Sequence, residues 1–178
     1  YARAAALDEE AIALDSTFAA AYEALGAMWI NQADRRARAI DALTKAFRYR
    51  GQLTERERLL AEAAYYLRVT AEYDKAAAAY RALLDVAPDD QTALNNLGIA
   101  YGEMRDFARA ERTYRRAIEL DSADAFTKYA NVAQYQVIFG RLADAETTLA
   151  RARAKFPGNP FVDGLTAEAE PGIAWLPG

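Results

Sequence analysis

Paired acids are the residues of this chain best placed to do chemistry. Glu9-Glu10, Glu55 with Glu57, and Asp89-Asp90 each set two carboxylates close together in sequence, a spacing that could serve general acid–base work. Basic residues cluster as Arg35-Arg36-x-Arg38 and Arg112-x-x-Arg115-Arg116, a pattern that could hold phosphate or nucleic acid. Neither reading is supported by its surroundings. The acids fall at predicted helix starts, turns or exposed faces, where a helix N-terminus favours negative charge without catalysis. The arginines are interleaved with Asp34, Asp41, Glu103, Glu111 and Glu119, so a solvated, salt-bridged face is the better account. The chain has no His and no Cys. Histidine acid–base chemistry, thiolate nucleophiles, disulfides and the usual zinc sites are excluded with them. No Gly-rich phosphate loop follows a strand-like run. No nucleophile–base or metal-ligand constellation can be assembled, so neither catalysis nor a cofactor is expected. A net charge of −4 argues against a general nucleic-acid binder. No apolar run approaches the roughly 18 residues of a membrane span.

The elements that position these residues are all helical by periodicity. A first helix is predicted from about Ala2 to Leu14. A second starts near Ala19, with Tyr22, Leu25-Gly26 and Trp29 at helical spacing, and its partner carries Ile40, Leu43 and Phe47 on one face. An extra residue is expected near Ala33, and Arg50-Gly51-Gln52-Leu53 reads as a longer exit. Thr54-Glu55-Arg56-Glu57 opens the next helix as a capping box, which is predicted to continue through Leu60, Ala64 and Leu67. Asn159-Pro160 reads as a cap followed by a first-turn proline. Pro171-Gly172 ends the last short helix, and residues 173–178 form an apolar tail without helical periodicity.

One pattern organises the whole. Leu97-Gly98-x-x-Tyr101 is followed by Phe107-x-x-Ala110-x-x-x-Tyr114-x-x-Ala117. About 34 residues earlier, a known helical-repeat period, stands Tyr73-x-x-Ala76-x-x-x-Tyr80, closed by Pro88. Further on stands Gly140-x-Leu142-x-x-Ala145-x-x-x-Leu149-x-x-Ala152, closed by Pro157. Gly98, Ala110 and Ala117 are small enough for close helix packing, with Tyr101, Phe107 and Tyr114 filling the space beside them.

These residues resemble the tetratricopeptide repeat (TPR). The resemblance implies an all-α fold, a right-handed TPR superhelix of antiparallel helix pairs spanning residues 1–170. It would comprise a half repeat at 1–18, repeats at about 19–53, 57–90, 91–124 and 126–159 with Ala125 as one extra residue, a half repeat at 160–170, and the tail at 171–178. Leu53-Thr-Glu-Arg-Glu-Arg-Leu-Leu60, Ala63-Ala-Tyr-Tyr66 and Ala13-Leu-Asp-Ser-Thr-Phe-Ala19 are similar to TPR regions of bacterial multidomain proteins, including those C-terminal to serine/threonine kinase domains. In such arrays the first helices of successive repeats line a concave groove. Here that groove would include Glu23, Ala27, Ile30, Arg58, Glu62, Tyr65, Arg68, Asn95, Asn96, Ile99, Asn131 and Gln134. Asn96 and Asn131 stand where peptide-binding repeats place an amide on the ligand backbone, and an amide offers both donor and acceptor. Tyr65-Tyr66 with Arg58 and Arg68 is the most distinctive cluster, of a type common among interface anchors. Tyrosines packed between helices beside solvated arginines are an equally good account. The carboxylate clamp of chaperone-binding repeats is absent: Glu23, Ala61 and Asn95 occupy its lysine place, and Thr127 with Asn131, or Phe161 with Leu165, the later basic places.

The expected function is a non-catalytic scaffold that binds a protein or peptide through the groove or the edges. The alternative is a structural subunit held by its ends in a larger assembly. No nucleic-acid partner and no direct membrane insertion are expected. The Ala- and Arg-rich composition reads as that of a high-GC bacterial chain, and the lack of Cys fits a cytoplasmic or a periplasmic setting. The chain opens Tyr1-Ala2-Arg3, without an initiator Met. Its first helix lacks the partner that begins a repeat, so a neighbouring subunit or upstream domain is expected at that edge.

Overall fold

A computed structural model of the chain describes residues 2–120 and 126–167. The described residues are all-α, with no strand among them. They fall into two compact units, residues 1–104 and 105–178. The apolar tail and Ala125 lie outside the described residues.

The first unit contains α1 (Ala2–Leu14), α2 (Ala19–Trp29), α3 (Arg36–Tyr49), α4 (Glu55–Tyr65), α5 (Tyr73–Val86) and α6 (Gln91–Glu103). Each helix packs on the next in sequence, and α2 also meets α4. This is the solenoid mode, in which neighbours supply the core to one another. The contacts are made by very small residues. Ala39, Ala46, Ala61, Ala63, Ala76, Ala93 and Ala100 are wholly excluded from solvent, beside the bulky fillers Tyr80, Leu83 and Leu94. Gly26 marks the tightest approach: a Cβ there would lie 2.6 Å from both Cγ and Cδ2 of Leu43.

Local signals set the helix ends. Thr54 caps α4 as predicted: Glu57 N–H donates to Thr54 Oγ1 at 3.4 Å, and Thr54 N–H donates to Glu57 Oε2 at 3.0 Å. Asp90 caps α6 by accepting from Ala93 N–H at 2.9 Å. The predicted irregularity near Ala33 is a 3₁₀ turn over Ala33–Arg35, so Arg35 precedes the second helix of its repeat. The longer exit is a second 3₁₀ turn, Arg50–Gln52. The helix expected to run on through Leu67 instead widens into a π turn at Tyr66–Thr70, closed by Ala71 at φ 55°. There the N–H of Glu72 reaches back to the Tyr66 carbonyl at 2.9 Å.

The second unit contains α7 (Phe107–Leu120), α8 (Phe126–Ile138), α9 (Leu142–Lys155) and α10 (Pro160–Ala167). Asn159 caps α10 through Val162 N–H at 3.3 Å, as its Asn-Pro pair predicts. Ala110, Ala117 and Ala152 again sit at the closest contacts, with Tyr114, Val132 and Val162 between them. Tyr135 stacks on both Phe107 and Tyr114, with ring centroids 5.4 and 6.2 Å away.

Glu111 is a buried carboxylate in this unit. It accepts from Arg115 Nε at 3.0 Å and Nη2 at 2.9 Å, from Gln136 Nε2 at 3.5 Å, and from Arg141. Thr148 Oγ1 donates to Gln136 Oε1 at 2.9 Å, which carries the network to α9. A charge this deep is tolerable because every bond to it is charge-assisted or directed.

Gly26→Ala is expected to destabilise the first unit by about 1–3 kcal/mol, since Leu43 must give way. Glu111→Ala is expected to cost about 2–3 kcal/mol through loss of bonds to a charged group. Urea unfolding of each variant checks both.

Candidate functional site

The residues of the first unit expected to face a groove come from α2, α4, α6 and the turn after α4. Small residues at the helix contacts leave the longer polar side chains to the outer positions of these helices.

Arg58 on α4 is half-buried and donates to both oxygens of Glu62, at 3.2 and 3.3 Å. Glu62 also accepts from Arg50 Nε at 2.9 Å. Tyr65 lies flat on Phe47, with centroids 4.1 Å apart and planes at 14°. It meets Tyr66 edge-on at 5.8 Å. Arg50 covers the other arm of this cluster, with Cζ 3.9 Å from the Phe47 ring centroid. The result is a shelf of Arg50, Phe47, Tyr65 and Tyr66 braced by Glu62. Phe47 was legible only as a core-facing residue, and Arg50 only as part of a loop.

Arg68 stands on the π turn and donates to Asn96 Oδ1 at 3.3 Å rather than stacking on a tyrosine. This joins two predicted site residues across 28 positions of sequence. Asn95, beside Asn96, is half-buried and has no polar partner among the described residues. In the second unit, Asn131 and Gln134 on α8 are likewise half-buried with uncommitted amides. The arginine clusters are internally engaged. Arg38 lies 4.4 Å over the Trp29 ring and pairs with Glu9 at 2.7 Å. Arg115 is held by Glu111. The paired acids behave similarly: Asp90 pairs with Arg56, and Glu57 is spent on the cap of α4.

Glu23 on α2 stands apart by its burial. It forms no hydrogen bond or ion pair among the described residues. Burial raises its pKa above the ordinary glutamate value; Arg56 opposes this, while Asp8, Asp90 and Glu57 add to it. Nearby, Tyr80 is wholly buried. Desolvation pushes its ionisation far up; Arg68 and hydrogen bonding with the Asn96 side chain oppose this, while Glu23 and Asp90 add to it.

Residues 92–124 match the tetratricopeptide repeat family. A comparison with curated proteins gave no match. Among solved structures, the TPR2B domain of yeast Sti1 in complex with pHsp70 is similar at 25% identity and TM-score 0.55, over 65% of this chain and 95% of that one. YrrB, a TPR protein with an unusual peptide-binding site, is similar at 17% identity and TM-score 0.62, over 93% and 82%. MamA from Desulfovibrio magneticus, residues 41 to the end, is similar at 17% identity and TM-score 0.62, over 88% and 85%. The tetratricopeptide-repeat resemblance is therefore supported by a matching repeat and by structures of the same all-α fold.

The raised pKa of Glu23 has a direct consequence for stability. Between its ordinary value and its raised one, the folded chain holds more protons than the unfolded chain. Stability therefore falls as pH rises through that window, and the penalty is complete above it. Glu23→Gln is expected to raise the melting temperature at pH 7 and to leave it unchanged below about pH 4. Thermal unfolding at the two pH values tests this.

Proposed function

We propose that this tetratricopeptide-repeat chain is a non-catalytic adaptor that holds an extended segment of a protein partner on its first-helix faces. The observation behind this is that each unit by itself carries half-buried amides without partners: Asn95 on α6 in the first, and Asn131 and Gln134 on α8 in the second. An amide that can donate and accept is suited to a peptide backbone, which presents both groups at every residue. Arg68 fixes the Asn96 carbonyl and so holds this amide in place beside Asn95. The aromatic shelf at Tyr65 offers a flat contact for a side chain. The similarity to a repeat domain in complex with pHsp70 supports the kind of partner. The carboxylate clamp of chaperone-binding repeats is not carried over, because Glu23, Ala61 and Asn95 stand where its lysine would be.

A second reading draws on α1. Leu7 and Leu14 are 58% and 91% exposed there, and α1 packs on α2. Bare leucines on a helix of this kind suit attachment of an edge to another subunit or domain.

The two readings separate by mutation. Affinity purification is run with the intact chain, with Asn95→Ala/Asn96→Ala, with Asn131→Ala, and with Leu7→Asp/Leu14→Asp. The groove reading expects the Asn variants to weaken a captured partner about fivefold or more while melting within about 2 °C of the parent. Loss confined to the Leu variant moves binding to the edge and overturns the groove reading.

A further inference from the structure

We propose that the Tyr65 shelf and the arginines around it receive an acidic partner segment, in which two internal Asp or Glu side chains flank an aromatic one. The proposal rests on the groove reading and gives it a sequence preference.

Contacts at short distance tie this surface together. Arg58, Glu62 and Tyr65 stand at i, i+4 and i+7 on α4, which is one stripe of the helix. Arg50 reaches the stripe at Glu62, 2.9 Å away, and its Cζ lies 3.9 Å from the Phe47 ring centroid. Phe47 in turn stacks on Tyr65. Arg68 follows Tyr65 on the π turn and bonds Asn96 of α6 at 3.3 Å. The surface is open to solvent. Arg50 and Arg58 keep 35% and 39% of their side-chain surface exposed, and Phe47, Tyr65, Tyr66 and Arg68 are half-buried.

Its charge is unbalanced. Arg50 and Arg58 share the single negative charge of Glu62. Arg68 bonds a neutral amide and forms no ion pair among the described residues. Three guanidinium groups therefore meet one carboxylate, in a chain whose net charge is −4. Neighbouring ions do not correct the excess. Lys75, 5.4 Å from the Tyr66 ring centroid, is paired with Glu72, and Arg56 is paired with Asp90. Glu23 ion-pairs with none of the three arginines. Each guanidinium also keeps N–H donors in hand. Arg50 spends Nε on Glu62 and Nη1 on the Phe47 carbonyl, Arg58 spends Nη1 on Glu62, and Arg68 spends Nη2 on Asn96. The remaining edges suit further carboxylates. The backbone at Arg68 is itself unusual. Its π turn closes on Ala71 at φ 55°, a conformation that costs energy in a residue with a β-carbon. Such turns and such strain collect at sites of function.

The spacing selects the segment. Arg58 and Arg68 lie about 15 Å apart along the helix axis. In an extended chain alternate side chains share a face, and residues i and i+4 are about 13 Å apart. Acids at i and i+4 thus reach the two ends of the surface, and the side chain at i+2 falls on the shelf. An aromatic there adds a third ring to the Phe47–Tyr65 pair. Asn95 and Asn96 adjoin the Arg68 end and suit the segment's backbone. A nucleic acid fits less well, because Glu62 stands within the stripe and repels a continuous run of phosphates.

The test is an NMR titration of the full chain, read at the Tyr65 ring and the Asn95 side-chain amide. Three probes are used: an acetylated, amidated Gly/Ser peptide around a Glu-Ser-Phe-Ser-Glu core, the same peptide with Gln for both Glu, and a short oligothymidylate. The blocked end removes the terminal carboxylate, so only internal acids are offered. The Glu peptide is expected to bind about fivefold or more tightly than the Gln peptide at low salt, and to lose most of that advantage at high salt. Arg58→Gln/Arg68→Gln is expected to erase the advantage and to leave the Gln peptide within about twofold of its parent affinity. Tyr65→Ala is expected to weaken both peptides alike. The ratio in the parent chain and its salt dependence decide the matter if a variant fails to fold. Equal binding of the two peptides with a response at Asn95 overturns the acidic preference and leaves the groove reading standing. A Glu-peptide advantage read at Tyr65 without a response at Asn95 does the reverse. An advantage that survives in folded Arg58→Gln/Arg68→Gln, no response to either peptide, or oligothymidylate binding as tightly as the Glu peptide overturns the proposal.

Discussion

The width of a methyl group governs this molecule. At the helix contacts of the first unit the meeting residues are Ala39, Ala46, Ala61, Ala63, Ala76, Ala93 and Ala100, all without exposed surface. At Gly26 even a methyl is too large, because Leu43 occupies its place. Backbones brought this close leave no depth for a thick core. Large side chains must lie between contacts, as Tyr80 and Leu94 do. Longer polar side chains are displaced to the outer positions, where Arg58, Asn95 and Asn96 stand half-buried. Close packing thus builds the helix contacts and, by exclusion, decides which side chains are left at the surface.

The same exclusion explains where the charges go. Arginines outnumber lysines in this chain, and the guanidinium fork suits shared bonds. Arg50 serves both Glu62 and the Phe47 ring. Arg141 reaches both Glu111 and Asp144. Arg38 serves Glu9 and Trp29. Such pairs hold neighbouring helices in register more than they add to stability, since half-exposed ion pairs contribute little. Their effect on the surface is subtractive. Among the described carboxylates left without a partner, Glu23 is the one whose burial raises its pKa amid charges from three other elements.

Features read correctly from the sequence were those whose cause is local. Thr54 with Glu57, and Asn159 with Pro160, announce helix starts within four residues, and both caps form. The repeat period was legible because each repeat reuses the same small and aromatic positions, as at Ala76 and Tyr80 or Ala110 and Tyr114. The π turn at Tyr66–Thr70 left no such trace, because its end is set by Ala71 in a left-handed conformation that alanine does not advertise. Tyr65 was singled out, but its stacking partner Phe47 lies on another helix, and no spacing rule links the two. The state of Glu23 was also illegible. Its burial and its electrostatic neighbours come from α1, α2, α4 and the cap of α6, and only folding assembles them.

The bonds that tie one helix pair to another span similar lengths of chain. Arg68 to Asn96 closes 28 residues, Arg38 to Glu9 closes 29, Arg56 to Asp90 closes 34, and Gln52 to Thr17 closes 35. In the second unit, Arg141 to Glu111 closes 30. Loop-closure entropy grows only with the logarithm of length, so these closures cost nearly the same. Folding of such a unit has no single slow, long-range step to await, and contacts this local belong to chains that fold in microseconds to milliseconds. On the ribosome, each new stretch of about 35 residues could dock as it emerges. Under tension the order reverses: helices would peel away from an end in small steps, and the chain would yield gradually where a sheet would snap.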